Sequence, residues 1–117
     1  MLYLCIMNWE HITEEAQIDA IIEQSNTQPV VIFKHSTRCS ISAMAKNRLE
    51  RVAVPEGISF HYLDLIRYRS ISNKIAEVFQ VHHESPQVLL IKNGECVYDE
   101  SHGGIDMAEI AGQVQES

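Results

Sequence analysis

The chain has 117 residues, of which 45% are apolar and 21% charged, and it carries a formal net charge of -7. That length gives one domain with one real core. Five glycines and three prolines exclude a fibrous or disordered chain. The acidity is not offset by any local Lys/Arg cluster, which argues against nucleic acid and anionic membrane as partners and leaves a soluble monomer or small oligomer as the expectation, the monomer first.

The start, MLYLCIMNWE, lacks a basic flank. It is far shorter than the roughly 20 apolar residues a membrane span needs, and too uncharged for a signal peptide. Met7 reads as the functional start of a domain over 7–117, with 1–6 as an N-terminal extension. Cysteines stand at 5, 39 and 96, an odd number that makes no disulfide framework. Without an export signal, the cytoplasm is the expected location, where a lone thiol is a reagent.

In chain order, a short first strand falls near Met7 to Glu10. ITEEAQIDAIIEQS is a helix with Thr13 as cap and Ile18, Ile21 and Ile22 at helical spacing. PVVIFKH is a β-branched apolar run, a strand buried on both faces and ending at Lys34. CSISAMAKNRLERVA is a helix with Ala43, Met44, Leu49 and Val52 as its inward residues, ended by Pro55 and Gly57. ISFHYLDL alternates as a strand, and SISNKIAEVFQV is a helix with a Ser cap and a stripe of Ile71, Ile75, Val78 and Phe79. SPQVLLIKNGECVYDE gives two strands about Asn93-Gly94, the strongest short-range hairpin signal. GGIDMAEIAGQVQ is a glycine pair and a last helix beginning near Asp106. Alternating strands and helices predict parallel strands with right-handed crossovers, and the hairpin adds an antiparallel edge. The fold class is α/β, a mixed central sheet of four to five strands flanked by helices.

Cys39 follows the first buried strand after a short polar loop, HSTR, and opens a helix. Unsatisfied N–H groups and the positive dipole end there stabilise a thiolate over a thiol. Arg38 adds positive charge, and Thr37, Ser40 and Ser42 keep the surroundings polar. This combination reads as a nucleophile rather than a buried structural cysteine. Ser42 occupies the place where a C-x-x-C site has its second thiol. Serine forms no disulfide, so a mixed disulfide on Cys39 must await an external thiol. Its hydroxyl is available to hydrogen-bond the Cys39 thiolate, or it is an ordinary exposed helical serine. Cys96 follows the hairpin turn, about 17 Å along the strand from Pro86 at roughly 3.3 Å per residue. That is beyond the roughly 7 Å a disulfide allows. Cys5 lies in the extension.

A strand, C-x-x-S opening a helix, and Ser85-Pro86 opening a later hairpin together resemble the thioredoxin superfamily. That resemblance implies a cis Pro86 facing Cys39, with Ser85 offering backbone groups to a bound chain. VVIFKHSTRCSIS, YLDLIRYRSISNKIAEVFQV and SPQVLLIKNGECVYDESHGGI are more closely similar to the YtxJ family of bacterial thioredoxin-like proteins, also called monothiol bacilliredoxin-like. The resemblance covers the chain from about Met7 onward. It implies removal of bacillithiol, a low-molecular-weight thiol, from protein thiols through Cys39. The C-G-C-type site of dithiol bacilliredoxins is missing.

In SHGGIDMAEI, a local resemblance to glutaredoxins makes Gly103, Gly104 and Ile105 candidate small-thiol contacts, through N–H groups at Gly104 and Ile105. The alternative, which the residues favour, is a plain turn capped by Asp106. His35, His82 and His83 sit at the strand end and before Ser85-Pro86, on the expected rim of the site. Their spacing, without C-x-x-C or H-x-x-x-H, does not suit a metal. Trp9 and Tyr62 have no special spacing.

The expected activity is monothiol disulfide exchange on S-thiolated client proteins. No bound cofactor is expected, and bacillithiol is the implied co-substrate. The residues alone leave bacillithiol, glutathione and coenzyme A open. The rival reading is a non-enzymatic redox sensor or binding module whose Cys39 becomes capped.

Overall fold

The computed structural model describes residues 7–116, and the extension proposed for 1–6 lies outside them. Among the described residues, strands Glu10–His11 (β1), Val30–His35 (β2), Ser59–Asp64 (β3), Gln87–Lys92 (β4) and Glu95–Ser101 (β5) form one sheet in the order β1-β3-β2-β4-β5. The helices are Ala16–Gln24 (α1), Ser40–Glu50 (α2), Arg69–Phe79 (α3) and Met107–Glu116 (α4). β2 is the central strand, and all six of its residues are buried. A strand covered on both faces needs apolar residues at both parities, which VVIF supplies.

β3 runs parallel to β2, and β4 antiparallel to it, with Lys34 opposite Gln87. The chain therefore leaves β2 toward Cys39 beside the point where it enters β4 from Pro86. Val31, Phe33, Leu49, Val88 and Ile110 build the core under α2 and α4. Ile18, Ile32, Ile71, Ile75 and Leu89 build the core under α1 and α3. Alternation along β2 then sends His35 toward α2 and Lys34 toward α3. Among the described residues, no helix is long and apolar enough to cross a membrane.

The local signals behave differently from element to element. Asn93 and Gly94 have φ of 52° and 78°, the positive pair that a tight hairpin turn requires. Asp106 caps α4, its Oδ2 accepting the Glu109 N–H at 3.2 Å. Thr13 is not the cap of α1. Glu15 stands there without a side-chain bond, and Gln17 Oε1 accepts the Thr13 and Glu14 N–H groups at 2.7 and 2.9 Å. Likewise Tyr68, not a serine, precedes α3, and Val78 is half-exposed while Ile71, Ile75 and Phe79 are buried.

The largest departure is in α2. Ser42, Ala45 and Leu49 face inward, whereas Ala43 and Met44 point outward, and Val52 lies exposed beyond the helix end at Glu50. β2 also runs one residue further than expected, to His35, which shortens the turn before Cys39 to Ser36–Arg38.

Candidate functional site

Cys39 is the N-cap of α2, with extended backbone at φ -111° and ψ 122°. Its N–H donates to the Ser36 carbonyl at 3.2 Å and its carbonyl accepts the Ala43 N–H at 3.0 Å. The first bond closes a four-residue β-turn, Ser36–Cys39; the second begins the helix. The thiol is free, half-buried and makes no capping bond. No acidic residue occupies the first turn of α2, so no carboxylate competes for the positive helix end. Thr37 and Arg38 are exposed in the turn. Beyond the thiol, α2 presents Ile41 and Met44 to solvent, 53% and 62% exposed.

Ser42 is neither an exposed serine nor a ligand of Cys39. It is fully buried, its Oγ accepts the Ser36 N–H at 3.0 Å, and it lies 2.7 Å from His35 Nδ1. The expected hydroxyl bond to the thiolate is replaced by these two, because the α2 stripe through Ala45 and Leu49 turns Ser42 toward β2. His35 is itself buried and packs against Phe33 and Tyr62, with centroids 5.7 and 5.5 Å away. Burial pulls its imidazole below the ordinary histidine range, helped by Lys46 and opposed by Asp64 and Glu50.

On the opposite face, Lys34 is fully buried. Its Nζ donates to the Ser72 carbonyl at 3.2 Å and lies 3.3 Å from His83 Nδ1. Burial lowers its amine to about 8. Gln87, also fully buried, donates to the His82 carbonyl at 3.0 Å and accepts the Glu84 N–H at 3.4 Å. Lys34 and Gln87 thus brace the segment 82–86 that ends in the Ser85-Pro86 peptide, which is cis. Pro86 is buried, and its carbonyl accepts the His102 N–H at 3.1 Å. His82 and His102 flank Glu84 at 3.7 and 3.8 Å, so both imidazoles border this segment, as does His83.

The glycine pair forms a 3-10 turn, His102–Gly104. Gly103 and Gly104 are exposed and Ile105 is buried. The Ile105 N–H donates to His102 at 3.3 Å. Arg48, from α2, donates to the His102 and Ile105 carbonyls at 3.1 and 3.3 Å. A Cβ on Gly104 would lie 2.5 Å from the Glu100 carboxyl carbon. An N–H already spent and a carboxylate already in place make this a poor anion site. The plain turn is the better description of Gly103, Gly104 and Ile105.

Cys96 donates to the Tyr98 carbonyl at 3.3 Å and packs against the core beneath α1 and α3. Sequence reasoning passed over Lys34 and Gln87 and left His35 as a loop residue. A lysine and a histidine closing a wholly apolar run were the available signal, since strand residues at that register are buried whatever their polarity.

A free thiol stands at the start of α2, and a cis Ser85-Pro86 peptide leads into β4, the antiparallel neighbour of β2. Residues 10–110 match the family model described as monothiol bacilliredoxin BrxC. A solved structure described as a candidate oxidoreductase with a thioredoxin fold is 32% identical, with 88% of this chain and 90% of that one covered and a TM-score of 0.78. Thioredoxin from Malassezia sympodialis is 17% identical, with 99% and 96% covered and a TM-score of 0.73. Thioredoxin f from spinach chloroplast is 12% identical, with 98% and 97% covered and a TM-score of 0.71. The last two speak for the fold alone. With a thioredoxin fold, one thiol at the α2 start and a family match over most of its length, the chain belongs to the monothiol bacilliredoxin family.

Proposed function

We propose that this protein is a cytoplasmic monothiol exchange protein that removes bacillithiol from S-thiolated client proteins through Cys39. The observation that carries the reading is the pairing of a free, half-exposed Cys39 at the N-cap with a buried hydroxyl at position 42. Cys39 is the nucleophile in this reading, and among the described residues both thiols, Cys39 and Cys96, are free.

The Cys39 thiolate attacks the bacillithiol sulfur of the mixed disulfide. The client–bacillithiol S–S bond breaks as the Cys39–bacillithiol bond forms, and the client thiolate leaves and takes a proton from water. A second bacillithiol thiolate then attacks the bacillithiol sulfur on Cys39. It releases the Cys39 thiolate and the bacillithiol disulfide, so the two electrons that reduce the client come from bacillithiol.

In this reading the helix start leaves Cys39 half-exposed with no carboxylate in the first turn, and Ser85-Pro86 aligns the incoming disulfide. The exposed Ile41 and Met44 give a client's apolar surface a place to rest beside the thiol. A monomer suffices for every step.

The test uses the reduced protein and a model protein carrying bacillithiol as a mixed disulfide, followed by intact mass. The expected result is a bacillithiol-sized gain on this protein with the model protein freed, and no gain in Cys39→Ser. Transfer that survives Cys39→Ser, or no transfer from either the bacillithiol or a glutathione-modified substrate, overturns the reading.

A further inference from the structure

We propose that Ser42 is the positioning residue of the nucleophile: together with His35 it clamps the Ser36–Cys39 turn. The inference rests on Cys39 being the exchanging thiol, but it concerns what holds that thiol in place.

Two successive residues at the end of β2 meet one oxygen. Ser42 Oγ lies 2.7 Å from His35 Nδ1 and accepts the Ser36 N–H at 3.0 Å. The Ser36 carbonyl in turn accepts the Cys39 N–H at 3.2 Å. The turn that carries the nucleophile is therefore tied at its first residue to the helix that begins at its last. The tie is anchored, because Ser42, Ala45 and Leu49 form the buried stripe of α2.

A hydroxyl suits this place chemically. It has one proton to give and two lone pairs to accept with. One lone pair takes the Ser36 N–H. The contact with His35 Nδ1 uses the hydroxyl proton when the ring proton is on Nε2, and the second lone pair when it is on Nδ1. Alanine at 42 would leave a buried N–H and a buried ring nitrogen without partners. A thiol there is a weak donor and weak acceptor with a larger atom, and it cannot keep a 2.7 Å contact. Ser42→Cys therefore does not simply restore a dithiol site; it releases the turn.

The test compares the full chain with Ser42→Ala, His35→Asn and His35→Gln. Asparagine returns a polar atom to the Nδ1 position; glutamine puts it near Nε2. Three quantities are read: amide exchange at Ser36 and Cys39, the His35 tautomer from ring nitrogen shifts, and the rate at which Cys39 reacts with a symmetrical aromatic disulfide, localised by mass. In the parent the ring holds a single fixed tautomer, which Ser42→Ala releases. In Ser42→Ala and His35→Gln, the two amides exchange about tenfold faster while the Leu49 amide is unchanged, and the disulfide reaction slows on the order of tenfold. His35→Asn stays close to the parent.

Unchanged Ser36 and Cys39 amides in Ser42→Ala overturn the proposal, as does a loss of protection spread over the whole chain. Equal behaviour of His35→Asn and His35→Gln also overturns it, and that pair decides if Ser42→Ala fails to fold. None of these readouts uses bacillithiol. Failure of the clamp is thus distinct from failure of the exchange reading, which the transfer assay on the parent protein reports.

Discussion

Two described thiols in one chain meet opposite environments. Cys39 stands at a helix start, half-exposed, with no acidic residue in the first turn. Cys96 is pushed up to about 11, chiefly by burial, so very little of it is thiolate at neutral pH. At pH 7, iodoacetamide should therefore alkylate Cys39 at least about tenfold faster than Cys96, as read by peptide mass. Equal rates would remove the distinction. Lys34 tells a related story for a base. Folded, its amine releases a proton at about 8, against 10.5 for an exposed lysine. Between those values the unfolded chain binds the extra proton, so this contribution to stability rises with pH; below about 8 both states hold the proton and the burial penalty is felt in full. Raising the pH from 7.5 to 10 should shift the urea midpoint of the parent upward relative to Lys34→Met. Tyr62, Tyr98 and Cys96 hold their protons more tightly when folded and act the other way, but they do so in both proteins. Parallel midpoints across that range would show that the amine is not buried as described.

Elements follow their sequences where the cause is local. The β4–β5 hairpin is one case: Gly94 adopts φ 78°, a conformation a Cβ resists by about 1–2 kcal/mol. A Cβ there would meet only Ile22 Cγ2, at an ordinary 3.5 Å, so the penalty is backbone strain and not crowding. Gly94→Ala should thus lose about 1–2 kcal/mol in urea unfolding, with an unchanged site; a neutral result would mean that the turn relaxes. The Asp106 cap of α4 was equally legible, since its bond to Glu109 spans three residues. α2 was not. Its apolar residues Ile41 and Met44 are exposed and its polar Ser42 is buried, because the inward face is chosen by where β2 and His35 lie. Thr13 failed as a cap for a similar reason: Gln17, one turn on, satisfies the same N–H groups.

At the scale of the whole molecule, burying imidazoles couples stability to acid. His35, His61 and His83 are all drawn below the usual value of 6.5, each chiefly by burial. A base whose folded value is depressed contributes stability that is present above its unfolded value and lost as pH falls, because the unfolded chain takes up the proton first. The urea midpoint should therefore fall between pH 7 and 5.5, before most carboxylates titrate, and His61→Gln should flatten that fall. A midpoint constant over the interval would contradict the burial of these rings.

The sequence by itself determined the alternation of strands and helices, the buried central strand, the hairpin and the placement of Cys39 at a helix start. Each is written in neighbouring residues, through apolar periodicity, turn chemistry or a helix start. Tertiary structure alone decided which neighbours the polar residues meet. His35 and Lys34 are adjacent in sequence, yet the pleat of β2 sends one to Ser42 beneath the turn that carries Cys39 and the other to Ser72 and His83 beneath the segment that enters Pro86. Partners 38 and 49 residues apart along the chain leave no periodic trace in the sequence. They exist because the sheet brings the ends of β2 and β4 together, and that pairing places the supports of the site on both of its sides.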